Sequence, residues 1–201
     1  MGKIIGITGG IASGKSTVTN FLRLKGFQVV DADAVVHNLQ KPGGRLYQVL
    51  VQHFGQEILL ENGELNRPLL ASLIFSKTEE REWSKQTQGE IIREELAALR
   101  DQLAQTETIF FMDIPLLFEQ DYANWFDEIW LIYVDRDVQV ERFMKRNQLS
   151  KEVAESRLAI QWSLEEKKKL ASYILDNNGS RDQLVSQVVK LLEGGDSCAR
   201  D

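Results

Sequence analysis

The chain has 201 residues, enough for one full core, and this length suits one domain carrying an inserted subdomain better than two independent domains. Its 24 basic and 30 acidic side chains leave a formal charge of −6, which removes any global electrostatic reason to bind nucleic acid or an anionic membrane. No apolar run reaches the length of about 18 residues that a membrane span needs, and the first residues enter a strand-like segment with no leader, so a cytoplasmic location is expected, as a monomer or small homo-oligomer.

In chain order, Lys3 to Thr8 is an apolar, isoleucine-rich segment that reads as a buried strand, and Ser16 to Leu24 has apolar residues at helical spacing. Between them lies GITGGIASGKSTV, Gly6 to Val18, which reads as strand, tight loop, helix. The loop fits G-x-x-x-x-G-K-[ST] with Gly9, Gly14, Lys15 and Ser16. Its glycines let the main chain approach a bulky anion, and the amides of a helix N-terminus direct partial positive charge at it. Lys15 can reach the outer phosphates of a nucleotide, the Ser16 hydroxyl can join the oxygen shell of Mg²⁺, and Thr17 supplies a second hydroxyl near the inner phosphates. A nucleotide-phosphate site follows.

The second strand, Phe27 to Val30, ends in VVDADAVV and so brings Asp31 and Asp33 to its carboxyl end. From there to Thr108 the chain is far longer than one crossover requires. Turn signals at Gly43-Gly44 and Asn62-Gly63 separate helices over Leu46–Phe54, Pro68–Phe75 and Glu79–Gln105, predicting a helical insertion over about 32–107. A third strand, Ile109 to Ile114, carries Asp113 and runs through Pro115 and Leu116 to Glu119. The fourth is Ile129 to Val134, and a charged helical segment, 137–171, follows it as either a lid or an ordinary surface helical pair. The fifth, Tyr173 to Leu175, runs into DNNGS, Asp176 to Ser180, whose turn could offer backbone groups to a nucleobase. After Leu192 the sequence EGGDSCARD reads as a frayed tail, and its Cys198 as a free surface thiol in a reducing compartment. Five short apolar segments separated by helical sequence predict an α/β fold with a parallel sheet covered on both faces, its core drawn from 1–31, 108–136 and 172–194.

Ligands bind open parallel sheets at the carboxyl ends of the strands, and phosphoryl transfer asks for positioning, charge neutralisation and a base or orienting group. Asp33 fits the last role, although it or Asp31 could instead cap a helix. Asp113 could act on Mg²⁺ through water or simply form a turn. Arg142 and Arg146 share a helix face and could clamp phosphate oxygens, or pair with Asp137 and Glu141 on a solvated face; Arg157 has the same two readings. The run EEKKK, Glu165 to Lys169, reads as a solvated helix face, and Trp83, Trp125, Trp130 and Trp162 as packing residues. Neither His37 nor His53 stands at metal-ligand spacing with another His or a Cys.

A small-molecule kinase satisfies these features. A GTP-dependent switch usually reads guanine through N-K-x-D, which does not occur, and a motor ATPase usually needs a larger chain. A nucleoside monophosphate kinase remains open on residue types alone.

Taken together, GITGGIASGKSTV, VVDADAVV, GELNRPLLASLIF, MDIPLLFE, the arginine segment with RLAIQ, and YILDNNGS resemble the dephospho-coenzyme A kinase family, in that family's order and over nearly the whole chain to about Leu192. VDAD and PLLFE are the more diagnostic parts. The resemblance implies a P-loop NTPase-type kinase core with a helical substrate-binding subdomain and a lid. It implies ATP-dependent phosphorylation of the ribose 3′-hydroxyl of dephospho-coenzyme A, with Mg²⁺. ATP would be held by Gly10, Ile11, Ala12, Ser13, Gly14, Lys15, Ser16, Thr17, Asn177 and Gly179; Asp33 would orient or deprotonate the hydroxyl, and Lys15 with Arg142 or Arg146 would steady the moving phosphoryl. The acceptor would meet Asp33, Arg67, Asp113, Leu116 and Arg157. Two positions depart from the family pattern: Ala12 stands where glycine is common, and Gln88-Gly89 where a His-Pro pair is common, so no substrate contact is assigned there.

Overall fold

The computed structural model describes residues 2–194, so Cys198 and the tail reading over 195–201 lie outside the described residues. β1 (Lys3–Gly9) is buried at every residue after Lys3, which is the signature of a strand covered on both faces. It occupies the centre of a five-stranded sheet of order β2-β3-β1-β4-β5, with β2 at Val29–Asp31, β3 at Ile109–Asp113, β4 at Glu128–Tyr133 and β5 at Tyr173–Asp176. The register sets Ile7 beside Asp113 on one side of β1 and beside Trp130 on the other, all in parallel pairing. β1 is thus the point where the strand order reverses, and the loop that follows it opens at the crevice where such sheets bind ligands.

The second strand starts later than its sequence suggests. Gly26 turns the chain at φ 88 after α1 (Lys15–Leu24), and Phe27 is used as a packing residue, its ring edge-on to Phe111 at 5.4 Å, before the strand begins at Val29. Phe111 in turn meets Trp130 at 5.3 Å. These rings join Ile5, Ile7, Val18, Leu22, Ile132 and, from α9 (Arg181–Leu192), Leu184 and Val188 in the main core. α1 and α9 form because their apolar residues recur on one face, and the sheet buries that face.

The chain divides into two compact units, Met1–Val30 with Leu103–Asp201, and Asp31–Gln102. In the first, α6 (Arg136–Asn147) and α7 (Lys151–Leu158) share a cluster of Val140, Phe143, Ala154 and Leu158, and short α8 (Leu164–Lys168) precedes β5. The second unit contains α2 (Ala32–Leu39), α3 (Arg45–Phe54), α4 (Arg67–Ser76) and most of α5 (Thr78–Thr106). Its own core gathers Leu46, Leu50, Ile58, Leu65, Leu70 and Ile91. Asn66 caps α4 by accepting from the Leu69 amide at 3.2 Å, with a proline in the first turn where a missing N–H does no harm. Trp83 stacks on His53 at 3.5 Å. No helix among the described residues is long and apolar enough to cross a membrane.

Two packing expectations are overturned. Trp162 is 44% exposed, so it is not a core residue. Lys167, within the run read as a solvated face, has no exposed surface at all. The helix α8 is only five residues long and turns one side inward, and periodicity over so short a stretch does not reveal which side that is.

Candidate functional site

The loop between β1 and α1 gathers most of the residues that the sequence singles out. Gly14 stands at the N-cap with φ 99, a left-handed conformation that glycine adopts without strain, and a Cβ there would run into Nδ2 of Asn177. That Asn177 amide donates to the Ser13 carbonyl at 2.7 Å, while its own backbone N–H donates to the Tyr133 carbonyl at 2.8 Å. Asn177 is 8% exposed, so its side chain is committed to propping the loop from beneath. The neighbouring Gly179 is exposed, at the turn before α9.

No side chain caps the N-terminus of α1, and within its first turn the Thr17 N–H is bonded back to the Gly14 carbonyl at 3.0 Å. The Ser13 hydroxyl is buried and has no hydrogen-bond partner in the protein. A loop with left-handed turns, an uncapped helix start and an orphaned hydroxyl fits the phosphates of a nucleotide. Ser16 is exposed and Thr17 half-buried in that same turn, and Lys15 Nζ lies 3.5 Å from Asp113 Oδ1. The carboxylate at the end of β3 therefore holds the lysine that the loop presents.

Two glutamines reach the loop from the helical segment after β4. Gln139 Nε2 donates to the Ile11 carbonyl at 2.8 Å, and the Ile11 N–H donates to Gln161 Oε1 at 3.2 Å. Ile11 and Ala12 also pack against the α6–α7 apolar cluster. Ala12 itself sits at φ 60, in the left-handed region that favours glycine.

Behind the loop is a buried charge pair. Lys167 Nζ donates to Glu119 Oε1 at 2.8 Å and to the Pro115 carbonyl at 2.9 Å; the Thr8 hydroxyl donates to that same carbonyl at 3.2 Å. Burial lowers the Lys167 pKa below the ordinary lysine value, Glu119 draws it back up, and the charge of Lys15 lowers it again. Glu119 Oε1 also accepts from the Trp162 N–H at 3.1 Å, tying the segment before α8 to the turn after β3. Leu116 lies half-buried in that turn. On β4, the Tyr133 hydroxyl faces Glu165 and Asp135, and the Glu165 hydrogen bond foremost, then burial, pushes its pKa above the ordinary tyrosine value, so it stays neutral.

The arginines are less gathered. Arg142 is half-buried in α6; Arg146 is exposed, with Nε donating to Asn147 Oδ1 at 3.0 Å and its guanidinium 5.7 Å from the Phe143 ring; Arg157 is exposed on α7.

In the second unit, Asp31 caps α2, its carboxylate accepting from the Ala34 N–H at 3.1 Å. Asp33 lies in the first turn with its side chain exposed, so capping is not its work. A cleft of about 410 Å³ in this unit is lined by His37, Lys41, Glu64 and Arg67 among others. Arg67 Nη2 is 3.2 Å from His37 Nδ1, and a guanidinium only donates, so Nδ1 accepts and the imidazole proton sits on Nε2. Gln88 is turned toward Ser84 within α5. Among the described residues no group of three or more His, Cys, Asp or Glu could hold a metal by itself.

Sequence reasoning missed Gln139, Gln161, Glu119 and Lys167 as contributors. Glu119, Gln139 and Gln161 stand inside the motifs of the resemblance, but what they bind lies far away in sequence; Lys167 stands in a run whose local pattern reads as a solvated face.

The chain matches the model of the family described as dephospho-CoA kinase (CoaE) over residues 3–183. It is 80% identical to a dephospho-CoA kinase of Streptococcus pneumoniae serotype 4, covering 100% of both chains. Among solved structures, one from Thermus thermophilus is 32% identical with a TM-score of 0.78, covering 96% of this chain and 97% of that one. A dephospho-CoA kinase from Campylobacter jejuni is 27% identical with a TM-score of 0.74, over 96% and 99%.

Proposed function

Because the chain belongs to the dephospho-CoA kinase family, we propose that it transfers the γ-phosphoryl group of ATP to the ribose 3′-hydroxyl of dephospho-CoA, giving CoA and ADP. The observation that carries the donor half is the uncapped start of α1 behind a loop that presents Lys15 against Asp113. Family membership carries the acceptor half.

In this reaction the 3′ oxygen bonds to the γ-phosphorus as the bond to the β,γ-bridging oxygen breaks, and ADP leaves with that oxygen. Asp33, uncommitted to capping at the start of α2, takes the hydroxyl proton. Lys15 follows the negative charge on the moving group, and Arg142 or Arg146 from α6 adds a guanidinium to its oxygens. The first-turn amides of α1 and the residues Gly10 to Thr17 cradle the inner phosphates. Mg²⁺ accompanies the nucleotide; it prefers one or two protein oxygens completed by phosphates and water, which the Ser16 hydroxyl, with Asp113 through water, fits without a dedicated cage. When bound it supplies charge neutralisation between the phosphates. The Asp31–Gln102 unit, with Arg67 and Lys41 at its cleft, is assigned the acceptor, and the 137–171 segment, with Arg157, the closing role. The location is cytoplasmic on this reading.

The experiment is ATP consumption with Mg²⁺ and dephospho-CoA, set against AMP, CMP, adenosine and shikimate, with products identified by mass. Exclusive phosphorylation of dephospho-CoA is expected. Preference for a nucleoside monophosphate would sink the acceptor assignment while leaving the phosphate loop intact.

A further inference from the structure

We infer that Gln139 and Gln161 are positioning residues that jointly clamp the phosphate loop at Ile11 and thereby hold Ala12 in the left-handed conformation the ATP phosphates require. The inference rests on the reading of this loop as the ATP site.

The two glutamines hold opposite ends of one residue. Gln161 takes the Ile11 N–H at 3.2 Å, and Gln139 gives to the Ile11 carbonyl at 2.8 Å. The roles cannot be exchanged, because an amide N–H only donates and a carbonyl only accepts, so the amide orientation of both side chains is fixed by the partner. Two successive peptide planes, before and after Ile11, are thereby oriented. The second plane is the one that rotates with φ of Ala12, and Ala12 stands at φ 60. A residue with a Cβ resists that region by roughly 1–2 kcal/mol, where glycine does not. The hydrogen bond from Gln139 to the peptide just before Ala12 opposes that rotation directly.

Each glutamine is itself held. Gln139 is 4% exposed, and Arg136 Nη1 donates to its Oε1 at 3.4 Å, which leaves its Nε2 facing the loop. Gly10 is needed next to it, since a Cβ there would meet that Nε2. Gln161 is fixed through its neighbour: the Trp162 N–H is bonded to Glu119, which the buried Lys167 anchors. The side chains of Ile11 and Ala12 are seated on the α6–α7 cluster. The segment after β4 thus shapes the nucleotide loop before any nucleotide arrives. This gives RLAIQ a mechanical reason for its glutamine, and it explains how this chain holds an alanine at a positive φ.

The test uses the full chain without acceptor, reading ATP affinity by calorimetry and Ile11 amide exchange by NMR. Gln161→Met and Gln139→Met, which keep the side-chain length but lose the polar ends, should each weaken ATP binding by about tenfold, the worth of one to two hydrogen bonds. Gln161→Met should speed exchange at the Ile11 amide, while Gln161→Glu, which still accepts, should keep the amide protected. Placing Ala12→Gly beside Gln139→Met should shrink the loss to about threefold or less, because glycine needs no help at a positive φ. Met variants that bind ATP within twofold of the wild type, an Ile11 amide equally exposed in Gln161→Glu and Gln161→Met, or a Gln139→Met loss unmoved by Ala12→Gly would each overturn the clamp. Should Gln139→Met not fold, the Gln161 pair decides alone. A wild-type chain that protects the Ile11 amide but binds no ATP refutes the ATP reading instead, so the two failures are distinguishable.

Discussion

Replacing Lys167 with methionine removes the fully buried half of a charge pair. Lys167 has no exposed surface, and the Glu119 side chain keeps only 13% of its own. With the ammonium gone, Glu119 retains the Trp162 N–H as its one protein donor, since its second oxygen is already buried without a hydrogen bond, and the Pro115 carbonyl loses one of its two donors. Leaving one buried charge unpaired costs about 3–5 kcal/mol, a large fraction of the roughly 5–15 kcal/mol that holds an ordinary domain together. For a chain of this size that corresponds to a fall in Tm of roughly 6–20 °C. Removing both charges behaves differently, because the desolvation of Glu119 disappears together with the attraction; Lys167→Met with Glu119→Gln should recover most of the loss, to within about 1–2 kcal/mol of the wild type. Urea unfolding followed by far-UV circular dichroism, with coincidence of a second probe as the two-state check, measures Lys167→Met, Glu119→Gln alone and the double variant. If Lys167→Met lost less than about 1 kcal/mol, or if the double variant lost the sum of the singles, the pair would not be the anchor described above.

Four further outcomes are expected. Asp33→Asn should lower turnover by about two orders of magnitude with little change in ATP affinity, and near-normal turnover would remove Asp33 from the chemistry. Lys15→Ala should abolish transfer while the far-UV spectrum stays that of the wild type; a loss of fold on the same sample would contradict its placement as a phosphate ligand. Gly14→Ala combines a strained φ of 99 with a collision at Asn177, so it should destabilise by about 1–3 kcal/mol and lose ATP binding in calorimetry. The Glu166 carboxylate accepts the Ser163 hydroxyl at 2.7 Å and the Ser163 N–H at 2.8 Å, and these bonds hold its pKa below the ordinary carboxylate value. Its folded value being the depressed one, the contribution is present above the unfolded carboxylate range and lost as pH falls through the folded value, so any advantage of wild type over Glu166→Gln should vanish on acidification.

The sequence by itself determined the phosphate loop, the five strands and the family, because each depends on local spacing: glycines where a loop turns left-handed, apolar runs where a strand is covered on both faces, a lysine directly after the last glycine. It also left Asp31 and Asp33 as rivals for one cap, and only coordinates separate a carboxylate that bonds the Ala34 amide from one two residues on that does not. Tertiary structure alone decided the rest. Lys167 sits in EEKKK with nothing local to mark it, yet it is buried because Glu119 and Pro115, about fifty residues earlier, come to meet it. Gln139 and Gln161 read as ordinary polar positions until the fold brings them against Ile11, more than a hundred residues away in sequence. Spacing reports only what neighbours along the chain do to each other. Burial and pairing between distant segments arise when the sheet closes, and they decide which of many similar polar side chains shape the site.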